Sequence, residues 1–277
     1  MRPQDVEVVR GVVLARSGVV IDPTKTYLIE TRLAPLVRRE GFASHAELIQ
    51  VIRTRHDDKL MWQVTDALVS SETCFFRDRA PFDQFRGEFL PELVASRGDR
   101  PIRVWSAACS TGQEPYSLAM IVDAEREQGG LKGTTVELFG SDLSERSLER
   151  AQSGLYSQFE IQRGLPIRML VRHFEQKDEM WALSPRMRQM VRWRRINLLA
   201  DLKALGQFDV IFCRNVVSDF DEASRRRVLE QLALALPKDG RLVLGVDESV
   251  VGVTEALQPA PGRPGVYVPT PGYRRAA

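Results

Sequence analysis

Through the first quarter of the chain, apolar residues return every three or four positions: Val6, Val9, Val13 and Leu14, then Leu28, Leu33, Leu36 and Val37. That spacing lines one face of an α-helix and predicts a small bundle of about four helices over residues 5–70. Gly18, Pro23 and Gly41 fall between the runs, where loops are needed. Ser44 precedes HAELIQVI and has Glu47 three residues on, a pairing that caps a helix from both sides.

Residues 71–100 carry SSETCFFRDRAPFDQF and then a helical run that stops at ASRGDRP, a loop signal. From residue 101 short apolar strands alternate with helices. PIRVWSA leads to EPYSLAMIVDAERE, with Pro115 near its first turn, and TVELFGSD leads to a helix capped by Ser144. QFDVIFCRN leads to EASRRRVLEQLALAL, and RLVLGVDES follows a PKDG turn. Strands alternating with helices build a parallel sheet covered on both faces, an α/β architecture. One block departs from this. Between about 165 and 197, Met187, Gln189, Val191 and Trp193 alternate with Arg188, Met190, Arg192 and Arg194. A period of two predicts short antiparallel strands, with SPR at a turn, inserted into the larger domain.

Composition narrows the function classes. With 43% hydrophobic and 27% charged residues the chain suits a soluble globular protein, and its net charge of +2 offers no basic excess for nucleic acid. The N-terminal residues carry charges every few positions, and no apolar run reaches the roughly 18 residues of a membrane span. The expectation is a cytoplasmic monomer that does not insert into membranes. Cys74, Cys109 and Cys213 are isolated, which suits a reducing compartment, and His45, His56 and His173 lack metal-ligand spacing.

The strongest local feature is VWSAACSTGQEPYSLAM, where a strand ends in small residues from Ser106 to Gly112 and a helix starts at once. Small side chains let a ligand approach the backbone, and the helix start offers free N–H groups. A tight connection with no ligand is the alternative. Neither GxGxxG nor GxxxxGK[ST] is present, which disfavours dinucleotides and nucleoside triphosphates. Glu114 at the helix start favours a cationic group over a phosphate, and Asp142 at the end of the second strand suits ribose hydroxyls. An adenosine ribose with positive charge and no phosphate describes S-adenosylmethionine.

SETCFFRD, RVWSAACSTGQEPYSLAM, SDLSERSLERAQSGLY, RRINLL and FDVIFCRN occur in this order, and SGVVIDPTKTYLIETRLAPLVRREG precedes them. Together they resemble the CheR-type chemotaxis receptor glutamate methyltransferase family over roughly residues 10–250. The resemblance implies an all-α N-terminal domain (1–70), a linker with a cofactor-contacting segment and a helix (71–100), and a class I, Rossmann-like methyltransferase domain (101–277). The block at about 165–197 corresponds to that family's small antiparallel β-subdomain. The implied reaction transfers a methyl group from S-adenosylmethionine to receptor glutamates, leaving S-adenosylhomocysteine. Carried over by motif, Ser71, Thr73 and Arg77 line the cofactor's methionine end, Arg77 being the catalytic residue that orients the reacting groups. Glu114 faces the amino group, Asp142 the ribose, Asn197 and Leu198 the adenine, and Arg214 and Asn215 the transferable methyl. An ionised glutamate needs no general base, so alignment is the main requirement. Phe75 and Phe76 are expected to be core anchors, and Cys109 a small residue filling the turn.

Three positions depart from the family pattern. Ser71 stands where asparagine is usual, Asp219 where tyrosine is expected near the substrate, and GVDES only loosely matches GHSES. Asp219 would repel an incoming carboxylate, which predicts lowered turnover, a non-catalytic cofactor-binding regulator, or another acceptor. Arg32, Arg38, Arg39, Arg53 and Arg55 offer a basic face to acidic receptor helices, with a plain solvated surface as the alternative. The 188–194 strand offers strand addition to a receptor C-terminal tail.

Overall fold

A computed structural model describes residues 1–69 and 72–273. Four helices, α1 (Pro3–Ser17), α2 (Thr26–Arg39), α3 (His45–Arg55) and α4 (Asp58–Leu68), form the N-terminal bundle. Val6, Val9, Val13, Leu33, Leu36 and Val37 are buried in its core. Leu14 is exposed, and Ile29 is buried in place of Leu28, because Ile29, Leu33, Leu36 and Val37 share one stripe of α2. Ser44 Oγ accepts the Glu47 N–H at 3.2 Å, whereas the Glu47 carboxylate takes the Ala43 N–H at 2.6 Å, one residue earlier than a capping box requires.

Helices α5 (Ala80–Gln84) and α6 (Leu90–Arg97), joined by a wider π turn over Phe85–Phe89, lead into the large sheet. Its strands and helices follow as β1 (Ile102–Ala107), α7 (Gln113–Glu127), β2 (Val136–Asp142) and α8 (Glu145–Ser153). A small-sheet segment comes next: β3 (Leu155–Ser157), α9 (Gln158–Gln162), α10 (Ile167–His173), β4 (Phe174–Lys177) and β5 (Met180–Leu183). The large sheet resumes with α11 (Pro185–Gln189), β6 (Val191–Arg195), β7 (Val210–Phe212), α12 (Glu222–Leu234) and β8 (Arg241–Val243), and closes with β9 (Leu257–Pro259) and β10 (Val266–Pro269). Strand order is β6-β2-β1-β7-β8-β10-β9, parallel from β6 to β8, with β10 and β9 antiparallel. This is the class I arrangement expected, with one antiparallel edge. The chain leaves β1 toward β2 on one side and has β7 on the other, so the strand order switches beside β1, where open α/β sheets bind ligands.

The small antiparallel sheet exists, in the order β3-β5-β4, but it spans 155–183 and not 165–197. The alternating block belongs elsewhere. Met187 lies in α11, where Ser184 caps the helix and Pro185 occupies its first turn, so SPR starts a helix instead of making a turn. Val191–Arg195 is β6, paired in parallel with β2 at the margin of the large sheet. Its alternation has a different origin from the one expected: Val191 and Trp193 face the core while Arg192 and Arg194 face solvent. Among the described residues no helix is long and apolar enough to cross a membrane.

Candidate active site

The loop after β1 turns tightly. Ala108 and Ser110 take left-handed backbone (φ 55° and 52°), and Gly112 has φ 91°. A Cβ at Gly112 would stand 2.8 Å from the Ala151 Cβ, so glycine alone fits both the conformation and the space. Cys109 N–H bonds the Ser141 carbonyl at 2.8 Å, tying this loop to the end of β2. Ser110 N–H donates to Asp142 Oδ2 at 2.7 Å, and Ser144 N–H to Oδ1 at 2.8 Å. Burial pushes the Asp142 carboxyl up, and these backbone donors oppose it.

Glu114, in the first turn of α7, accepts from Ser106 Oγ at 2.7 Å and from Arg214 at 3.1 Å. Arg214 follows β7, has a side chain only 2% exposed, pairs with Asp78 at 2.6 Å and donates to the Arg77 carbonyl at 2.9 Å. Thus the ends of β1, β2 and β7 and the segment before α5 converge.

Between them lies a cavity of about 870 Å³ including its mouth. Thr73, Arg77, Glu114, Asp142, Asn197, Leu198, Arg214 and Asn215 all line it, so the structure brings together every described residue singled out from the motifs. Ser71 lies outside the described residues. Val19, Leu143, Ile196, Val216 and Phe220 add apolar wall, and Asp219 also lines it. The Asp219 side chain is solvent-exposed, yet its carboxyl is pushed up, first by partial desolvation and then by Glu248.

Two details differ from the expected roles. The Asn197 amide is engaged within the protein, donating to the Arg16 carbonyl at 2.6 Å and accepting the Leu199 N–H at 3.0 Å. Both Glu114 oxygens already have partners. Phe75 is fully buried against Tyr156 and Phe174 at 5.0 and 5.8 Å, and Phe76 meets Phe82 at 5.4 Å. Cys109 is buried, and desolvation followed by the charges of Asp142 and Glu114 drives its thiol pKa up, away from the thiolate a nucleophile needs.

Sequence reasoning named Ser106 only as a small residue, and it missed Asp78 and the Ser17–Val19 segment, which reaches the cavity from the N-terminal bundle. Val20 N–H bonds the Asp219 carbonyl, and a Cβ at Gly18 would meet Ser224 at 2.8 Å. A glycine at the end of α1 was the only local sign of that close approach.

The donor set has a definite chemistry. Carboxylates at Asp142 and Glu114, beside apolar walls, suit a flat ring, hydroxyls and a positive group. Two buried polar atoms in lining residues, Asn215 Oδ1 and Arg214 Nε, have no hydrogen-bond partner among the described residues. Buried polar groups are nearly always paired, so these two atoms are open to a partner at the cavity, a ligand or a water. A cofactor with a ribose, an amino group and a sulfonium centre fits these residues. Among the described lining residues there is no histidine to form a proton-transfer pair.

Residues 4–69 match the family described as CheR methyltransferase, all-alpha domain, and residues 71–266 match CheR methyltransferase, SAM binding domain. The chain is 37% identical to chemotaxis protein methyltransferase 1 of Pseudomonas aeruginosa over 264 residues, covering 95% of this chain and 96% of that one. It is 36% identical to chemotaxis protein methyltransferase Cher2 of Pseudomonas putida, covering 90% and 91%. To chemotaxis protein methyltransferase 1 of Vibrio cholerae it is 35% identical, covering 91% of each chain.

Proposed function

The chain belongs to the CheR methyltransferase family, and from that premise we propose that it transfers the methyl group of S-adenosylmethionine to glutamate side chains of chemotaxis receptors, forming glutamyl methyl esters. The observation that carries this reading is the cavity at the ends of β1, β2 and β7. It joins two buried carboxylates, two polar atoms without a partner among the described residues, and apolar walls, and no histidine is among its described lining residues. The bound cofactor supplies a methyl group already activated by its sulfonium.

The chain's own work is then binding and alignment. Asp142, fixed by the Ser110 and Ser144 N–H groups, keeps lone pairs for ribose hydroxyls. Leu198 and Asn197 border the adenine position, where Leu198 supplies contact and Asn197 holds the loop through Arg16. Thr73 and Arg77 face the methionine end, and the Arg77 guanidinium, which donates to the Glu72 carbonyl at 3.2 Å, keeps further donors for a carboxylate. Glu114 shares its charge between Arg214 and the cofactor amino group, and the Asn215 amide oxygen stands beside the methyl.

Acidic receptor helices have a matching surface in Arg32, Arg38, Arg39, Arg53 and Arg55, all exposed on α2 and α3. A receptor C-terminal tail has an edge to extend in β3 or β4 of the small sheet. Asp219 favours a second reading, a cofactor-binding protein with weak turnover or another acceptor. Incubating receptors with isotopically labelled S-adenosylmethionine and mapping label by mass spectrometry tests the proposal. Label on glutamate supports it. Cofactor binding without label supports the second reading, and no calorimetric binding at high micromolar cofactor sinks both.

A further inference from the structure

Beyond β8 the chain turns through GVDES, and the Glu248 side chain folds back beneath the loop that comes after β7. Its Oε2 accepts the N–H groups of Asn215 and Gly245 at 2.7 and 2.8 Å. Its Oε1 accepts those of Val216 and Ser218 at 2.7 and 3.1 Å. The residue is buried, and it is not among the residues lining the cavity. One carboxylate therefore gathers backbone donors from two separate segments, and hydrogen bonds to an ionised acceptor are among the stronger kind.

The loop it gathers is under constraint. Asn215 has φ 58°, a left-handed conformation that a non-glycine residue keeps when its surroundings over-determine it. Gly245 leaves no slack on the other side, since a Cβ there would stand 2.8 Å from both Asn215 Nδ2 and Glu248 Oε2. The backbone fixed in this way carries Arg214, bound to Glu114 and Asp78, and the Asn215 amide, whose buried oxygen has no partner among the described residues.

We propose that Glu248 is a positioning residue: its carboxylate folds the 214–219 loop so that Asn215 and Arg214 stand correctly at the cavity, and it sets cofactor affinity without touching the cofactor. The inference rests on the cavity being the S-adenosylmethionine site. Glutamine is a demanding replacement. It keeps the shape, but its NH2 group turns toward two N–H donors and can accept from neither.

The test pairs hydrogen exchange on the parent protein with calorimetry on Glu248→Gln, using S-adenosylhomocysteine as the probe. In the parent without ligand, the amides of Asn215, Val216, Ser218 and Gly245 are expected to be protected; exchange at open-loop rates overturns the proposal whether or not the variant folds. In folded Glu248→Gln, binding is expected to weaken about tenfold or more, the worth of roughly one hydrogen bond to a charged group, with KM rising more for the cofactor than for the receptor. Parent-like affinity in the folded variant overturns the inference and leaves the function intact. A parent that binds no S-adenosylhomocysteine overturns both. Equal loss in both KM values also overturns it, since that marks general disruption.

Discussion

Arg214 and Glu114 form an ion pair at 3.1 Å with the arginine side chain 2% exposed. The same guanidinium holds Asp78 and the Arg77 carbonyl, so one cation joins α7, the loop after β7 and the segment before α5. Removing it leaves the buried Glu114 carboxylate with the Ser106 hydroxyl but no cation, and takes from Asp78 its ion-pair partner. Arg214→Met is expected to destabilise the fold by about 3–5 kcal/mol. Glu114→Gln should be milder, because the amide oxygen still accepts one of its two hydrogen bonds. Urea denaturation of both variants is the check. A cost below about 1 kcal/mol for Arg214→Met would put the pair in the class of surface ion pairs and refute its bridging role.

Asp219 lines the cavity, where, in the proposed reaction, an incoming glutamate brings its own negative charge. Replacing it with asparagine or tyrosine is expected to raise kcat/KM toward receptor by about fivefold, the equivalent of roughly 1 kcal/mol of repulsion removed. The pH dependence has a defined sign. The folded-state pKa of Asp219 is raised by partial burial and by Glu248, so lowering the pH neutralises it earlier than an ordinary carboxylate. The advantage of Asp219→Asn should therefore be greatest at neutral pH and shrink as the pH falls. Steady-state methylation across a pH series measures it, and a constant ratio refutes the electrostatic account.

His173 ends α10 buried, with Nε2 lacking a hydrogen-bond partner among the described residues. Burial first, and then Arg172, lower its pKa from the ordinary 6.5, while Asp123 and Glu127 pull the other way and Arg186 adds to the lowering. The unfolded chain thus takes up a proton near 6.5 that the folded chain resists. Stability contributed by neutral His173 is present above that pH and is lost as the pH falls toward the folded pKa. His173→Phe should flatten this part of the stability profile. Urea midpoints on either side of pH 6.5 for parent and variant decide the matter; parallel profiles would refute it.

Local pattern made the bundle, the alternating sheet and the ligand loop legible, because a helix face, a buried strand and a run of small residues each leave a short-range period or composition. The order of motifs then gathered Thr73 through Asn215 around one cavity. It could not give the partners that come from far along the chain: Asn197 is held by a carbonyl 181 residues away, and Arg214 by a carboxylate 136 residues away. Nor could it tell β6 from a small-sheet strand, since alternation records only which face is buried. Ser-Pro-Arg failed for a related reason. The same three residues can begin a helix or make a turn, and the downstream chain decides between them.

The segment bearing Thr73 and Arg77 is held from outside the cavity by Gly164, between α9 and α10. Gly164 has φ 90°, and a Cβ there would stand 2.1 Å from the Phe75 carbonyl oxygen. Because the obstacle is backbone, no side-chain rotation relieves it, and Phe75 cannot retreat because its ring is fully buried against Tyr156 and Phe174. Gly164→Ala therefore combines a disfavoured φ with forced displacement of the chain at Phe75, at a cost of about 1–3 kcal/mol. The displacement should pass to Thr73 and Arg77, which flank Phe75 in sequence, and weaken S-adenosylhomocysteine binding in the folded variant. Thermal melts measure the first effect and calorimetry the second. If stability falls while affinity stays at the parent value, the cavity tolerates movement of this segment, and Thr73 and Arg77 do not depend on the Phe75 anchor for their place.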